Sequence, residues 1–221
     1  TEWVGFCEDT CEPVPSWYAA FCHASQAPQV DAWSGPITLR ADLPARCLAL
    51  AALEYGEFAP TRWQRLAADA ATAWRPMSRL AGLNWVCRAA ALPVPAHGII
   101  ETEVHQALHS SGRAIALHPD LAVAYTARDF ASATAAARAQ HGRIYGGGQR
   151  ARLGLGARGV ALAKCLLLPA VLWARGVAGL PPSRRANWRA HAWLWWLATA
   201  WSLGEACGLA FGRGRSVEAW R

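Results

Sequence analysis

The chain has 221 residues, of which 53% are apolar and 17% charged, with a formal net charge of +7. That length holds one sizeable core, or one domain with an appendage, and a mean hydropathy just above zero excludes a bundle made wholly of spanning helices. The positive charge is almost entirely arginine, Lys164 being the only lysine, and it is not gathered into one short run; it suits a nucleotide diphosphate or an anionic lipid surface, and nucleic acid is not the expected partner.

Trp3, Val4 and Phe6 read as the end of a buried strand that runs into an acidic turn, Glu8 to Glu12, and then Pro13 and Pro15. A strand emptying into carboxylates and prolines is how many α/β folds build the edge of a site. Ser16 is expected to cap a short helix bearing Trp17, Tyr18 and Phe21. A second strand-like stretch runs from Val30 to Leu39 around Gly35-Pro36. Asp42 is the expected N-cap of a helix reaching Tyr55, and Thr61 with Gln64 has the spacing of a capping box for the next helix, ending near Pro76.

Leu80 to Leu92 mixes polar and apolar residues. Thr102 to Ser111 reads as a helix with carboxylates at its start and Gly112 at its stop. Short strands follow at Ile115 to Leu117 and Leu121 to Tyr125. A helix from Asp129 is expected to end near His141-Gly142, with Gly146-Gly147-Gly148 as a flexible link. Val160 to Ala174 and His191 to Phe211 are then apolar apart from Lys164 and Glu205. The second is long enough to cross a bilayer, with Ala200, Gly204, Gly208 and Gly212 as a small-residue seam expected to pack against Val160 to Ala174. Cys7, Cys11 and Cys22-His23 invite a zinc reading. No second Cys-x-x-Cys pair completes four ligands, so reduced thiols are the simpler expectation.

Three segments carry the chemistry, in this order: FCEDTCEPVPSW from Phe6, LAGLNWVCRAAAL from Leu80, and ETEVHQALHSSGRAIALHPDLAVAY from Glu101. Together they resemble the inverting family 2 glycosyltransferases of the GT-A fold, over about Trp3 to Arg152. The resemblance implies an α/β, Rossmann-like GT-A domain over residues 1–152, followed by apolar, membrane-associated helices over 153–221. That family opens with a nucleotide-binding half ahead of the acidic motif. The resemblance therefore implies a carboxy-terminal piece, inactive by itself unless those strands are supplied.

The implied reaction transfers a sugar from a nucleotide-sugar donor to a cell-surface glycan or lipid-linked acceptor, at a membrane and on its cytoplasmic side. Glu8 and Asp9 would hold Mg²⁺ or Mn²⁺ on the donor diphosphate, with Thr10 standing where the family often has a second aspartate. Glu101, in register with the family's base aspartate, would take the acceptor proton, with Glu103 the second candidate. Gly82, Asn84 and Arg88 would line the acceptor side, and His141, Arg143 and Arg150 would lie over the diphosphate. The competing expectation is a degenerate, non-catalytic transferase domain serving as a membrane scaffold.

Overall fold

The computed structural model of the chain describes residues 2–60, 75–76, 80–92, 101–128 and 135–216; of residues 75–76 and 101–103 it describes the backbone alone. The capping box expected at Thr61 and Gln64 and the helix start expected at Asp129 lie outside the described residues. The chain forms two compact units, Thr1–Arg40 with Phe58–Thr126, and Ala41–Glu57 with Ala127–Arg221.

The first unit is an α/β layer structure. Its five-stranded sheet has the order β1 (Trp3–Cys7), β6 (Asn84–Arg88), β3 (Ala32–Ser34), β7 (Ile115–Leu117), β5 (Arg75–Pro76), so β1 sits at an edge. β1 and β3 each run antiparallel to β6, and β3 runs parallel to β7, which leaves β1, β3 and β7 pointing the same way. Successive side chains on a strand face opposite sides, and the two halves of the core follow that alternation. Trp33, Val86 and Ala116 pack with Ala20 and Ala24 of α1 (Trp17–Ala24) on one face. Ala32, Trp85, Cys87 and Ile115 pack with Val104 and Leu108 of α3 (Glu101–Ser110) on the other. A second sheet of three strands, β2 (Cys11–Pro13), β8 (Val123–Tyr125) and β4 (Ile37–Leu39), continues from the first.

Two expected caps take other forms. Ser16 precedes α1 in a helical conformation and makes no side-chain cap bond; an N-cap hydroxyl reaches its target from extended backbone. The second unit's first helix, α2 (Ala45–Tyr55), starts behind Pro44 rather than Asp42. A residue preceding proline is driven out of the helical region, so Leu43 cannot belong to the helix, and Asp42 instead pairs with Arg128.

The second unit is helical: besides α2 it holds α4 (Ala135–Arg150), α5 (Leu155–Lys164), α6 (Leu168–Gly179) and α7 (Trp188–Phe211). Gly146 to Gly148 are not a flexible link but lie inside α4, where Gly146 lets α7 approach and Gly147 and Gly148 face Arg213. A Cβ on Gly146 would fall 2.2 Å from the Glu205 carbonyl oxygen, and one on Gly204 would fall 1.9 Å from that of Ala139. Gly142 meets Trp201 and Gly208 meets Arg143 in the same way, so the helices run parallel with a Gly-x-x-x-Gly on each. The seam on α7 therefore faces α4 rather than the Val160–Ala174 stretch. This pairing also groups α4 with the later helices, whereas the sequence expectation divided the chain at Arg152.

Glu205 lies buried in that pairing. Its carboxylate accepts from Trp201 Nε1 at 2.9 Å and from Gln149 Nε2 at 3.4 Å. The spanning segment expected at His191 to Gly212 is not supported: among the described residues no single helix is long and apolar enough to cross a membrane. Much of α7 is spent on packing, with Leu194, Leu197, Ala198 and Leu209 buried. Among the described residues, α5 and α6 taken together pass by length and composition, and they meet at 57°.

Candidate functional site

Because β1, β3 and β7 are parallel, their carboxyl ends share one edge of the sheet with the amino end of β6. That edge carries the acidic turn after Cys7, Gly35-Pro36 after Ser34, His118-Pro119 after Leu117, and Gly82 to Asn84. Ligands of α/β sheets gather at such an edge. Helix α3 feeds β7 through Gly112, a left-handed stop at φ 71°, and so runs back against it. His105 in its second turn has its ring against Trp85 at the same end of β6. Helix α3 therefore runs back towards the edge that bears the acidic turn. The side chains of Glu101 and Glu103 lie outside the described residues.

The acidic turn is tied down on several sides. Cys11 N–H donates to Glu8 O at 3.2 Å within the turn, Glu8 N–H donates to Leu83 O at 3.3 Å, and Thr126 N–H donates to Thr10 O at 2.9 Å. Thr10 is buried and its hydroxyl donates to Glu8 Oε2 at 3.0 Å. A second aspartate would offer a free carboxylate here; this chain offers a strut that holds Glu8. Asp9 is exposed. The Cys7 and Cys11 sulfurs bracket the turn 3.2 Å apart, and burial, with Cys7 alongside, pushes the Cys11 thiol up to about 12.

Gly82 and Asn84 join this turn through Leu83, whose carbonyl also accepts from Cys11 Sγ at 3.4 Å. Asn84 is buried and bonded at both ends of its amide: its Nδ2 donates to Leu121 O at 2.7 Å and its Oδ1 accepts from Trp17 Nε1 at 3.0 Å. It positions the edge rather than presenting an amide to a ligand. Ser34 completes the knot, donating to Asn84 O at 2.6 Å and accepting from Ala81 N–H at 3.0 Å. Sequence reasoning missed Ser34; the available signal was a hydroxyl closing a buried strand just before Gly-Pro. His118 is buried between Trp33 and His23, and desolvation lowers its pKa. Asp120 N–H donates to its Nδ1 at 3.3 Å, which keeps that nitrogen unprotonated.

The remaining candidates lie elsewhere. Arg88 pairs across from Trp3, at the far end of β6 from the acidic turn, where its guanidinium stacks on Trp3, binds Glu2 and donates to Val30 O. On that face Trp3, Gly5, Trp17, Tyr18, Phe21 and Val86, with Glu2, line a largely apolar groove of about 390 Å³. His141, Arg143 and Arg150 belong to the helical unit. Arg143 donates to Gly212 O at 3.2 Å, and Arg150 to Ala210 O. His141 Nδ1 is 4.0 Å from Glu54 Oε1, but burial and the adjacent Arg138 lower its pKa to about 4. The imidazole is therefore neutral and this contact is not an ion pair; Arg138 is the partner of Glu54.

A divalent cation fits the edge on donor chemistry. Glu8 and Asp9 bring two hard carboxylates to this turn, Asp9 from an exposed position, and Mg²⁺ typically takes one or two carboxylates together with substrate phosphates. Among the described residues no group of three or more His, Cys, Asp or Glu converges, so the protein would supply only part of the shell. No family model, curated protein or solved structure matches this chain.

Proposed function

We propose that the chain is part of a GT-A-like glycosyltransferase that moves a sugar from a nucleotide-sugar donor to a glycan or lipid-linked acceptor at a membrane surface. The observation that carries this reading is the convergence of distant segments. The acidic turn and the Gly82–Asn84 turn share one sheet edge and are joined through the Leu83 carbonyl, and α3 runs back towards that edge. Glu8 and Asp9 would hold a divalent cation, which would supply positive charge to the leaving diphosphate. Glu101, at the start of α3, accepts the proton of the attacking hydroxyl. Thr10 and Asn84 act indirectly, by fixing Glu8 and the turn beside it.

The membrane part rests on the helical unit. Leu155, Val160, Leu166, Leu167 and Val171 on α5, α6 and the bend between them are exposed, as are Trp188, Trp195, Trp196, Leu203 and Phe211 on α7. Exposed apolar surface on this scale marks a contact site. Its arginine flanks suit anionic headgroups, and the bend between α5 and α6 suits helices lying in the interface rather than crossing it.

The test is binding of uridine and guanosine diphosphates with Mn²⁺ to the full chain, followed by calorimetry and by Mn²⁺ spin resonance. Asp9→Asn and Glu8→Gln should each weaken the Mn²⁺-dependent part at least about tenfold, near 1.4 kcal/mol, and leave binding in chelator unchanged. Metal-independent binding, or none, by a folded chain that still binds vesicles would favour the scaffold reading.

A further inference from the structure

We infer that Cys7 and Cys11 are a dithiol–disulfide pair that closes across the acidic turn, with a small disulfide of the glutathione type as oxidant. Their sulfurs stand 3.2 Å apart without a bond. A disulfide is about 2.05 Å long, so the two sulfurs need approach by only roughly 1.2 Å. The strand end and the β2 start that carry them are already held, by pairing of Cys7 with Asn84 and of Cys11 with Tyr125. Other thiols are placed differently. Cys47, Cys87 and Cys165 are buried and, like Cys11, donate to backbone carbonyls; the sulfur-to-sulfur contact is what distinguishes Cys7 and Cys11.

Access sets the order of events. Cys7 is exposed and Cys11 buried. The Cys7 thiolate attacks one sulfur of the small disulfide, expels one thiolate and becomes a mixed disulfide. Cys11 then gives up its proton and attacks the Cys7 sulfur. The bond to the small thiol breaks, that thiol leaves with the electron pair, and the Cys7–Cys11 bond forms. Two electrons and two protons pass from the cysteines to the oxidant, which ends as two thiols. Closure removes the Cys11 S–H, and with it the bonds to Glu8 O and Leu83 O. The oxidised ring holds Glu8, Asp9 and Thr10 more tightly while loosening one tie between this turn and the Gly82–Asn84 turn.

The experiment equilibrates the full chain in mixtures of oxidised and reduced glutathione, quenches it, alkylates free thiols and maps peptides by mass. The expected result is that Cys7 and Cys11 lose alkylation together, in a peptide lighter by two hydrogens. Cys11→Ser should instead retain glutathione on Cys7, and Cys7→Ser should leave Cys11 at least about tenfold less oxidised. Phenylarsine oxide, which needs two neighbouring thiols, should protect both residues in the unaltered chain. That arm decides the matter if a serine variant fails to fold. Glutathione retained on Cys7 of the unaltered chain, a bond from Cys7 to Cys22, or failure of the arsenical to protect the pair would overturn the inference. These readouts involve no nucleotide or sugar, so they stand or fall apart from the transferase reading.

Discussion

Gly35 has no room for a methyl group: an added Cβ would lie 1.6 Å from the Leu121 carbonyl oxygen, the atom that accepts from Asn84. Backbone must move to admit it, and the Ser34–Asn84 knot moves with it. Gly35→Ala should cost at least about 2 kcal/mol, read as a lower urea midpoint. At Glu101 the expectation concerns rate. In a preparation competent for transfer, Glu101→Gln should lower turnover on the order of a hundredfold or more while donor affinity holds, because an amide keeps the shape but accepts no proton. Near-normal turnover would make Glu101 a helix-end carboxylate only. His141 provides a pH signature. Its folded pKa is near 4 against an ordinary value of 6.5, so between those values the unfolded chain binds more protons. Stability from this group is fully present above about pH 6.5 and is lost as pH falls towards 4, on the order of 3 kcal/mol in total. Glu54 and Glu205, raised by burial, act in the opposite sense. The measurable quantity is therefore the difference from His141→Gln, whose unfolding midpoint should fall less over that window.

At the scale of elements, the contact between α4 and α7 joins close backbone approach at its glycines with side-chain packing of Arg138, His141 and Tyr145 against Trp201. Gly204→Ala places a methyl 1.9 Å from the Ala139 carbonyl oxygen and should cost about 2–3 kcal/mol by thermal unfolding. Gly156→Ala on α5 meets nothing within 4 Å and should be neutral or stabilising by up to about 1 kcal/mol. Equal effects would mean that the glycines matter for flexibility and not for approach. The same helix shows why the sequence was only partly readable. Three consecutive glycines signal a break by propensity, and only the neighbouring helix makes them an asset. The strands at Trp3, Ala32 and Ile115 were legible because their apolar residues serve both faces of one sheet. Asp42 was misread because Pro44 fixes the helix start more firmly than a carboxylate two residues earlier. At the candidate site, the convergence of the acidic turn with Gly82 and Asn84 was legible through the order of the motifs. The remoteness of Arg88 was not, since four residues along a strand carry a side chain to its opposite end. Nor was the role of Thr10, whose partner is decided by how tightly the turn folds.

For the molecule as a whole, exposed apolar side chains and surplus arginine make a lipid surface the expected environment. Leu166 and Leu167, at the bend between α5 and α6, are 83% and 70% exposed. Burying each in lipid is worth roughly 1.5–3 kcal/mol. Leu166→Glu with Leu167→Glu should therefore reduce vesicle co-sedimentation at least about tenfold, with unfolding unchanged. Anionic vesicles should bind more than neutral ones, and salt should weaken that preference. Salt has a second effect, through β1. That strand is the rim of its sheet, and a rim presents backbone donors and acceptors to any extended chain that reaches it. Copies carrying +7 each repel at low ionic strength. Screening removes that protection, so the salt expected to weaken binding to anionic vesicles also favours rim-to-rim association. Light scattering should then rise with both salt and protein concentration, and colloidal stability should be greatest at low salt, where binding to anionic vesicles is also expected to be strongest.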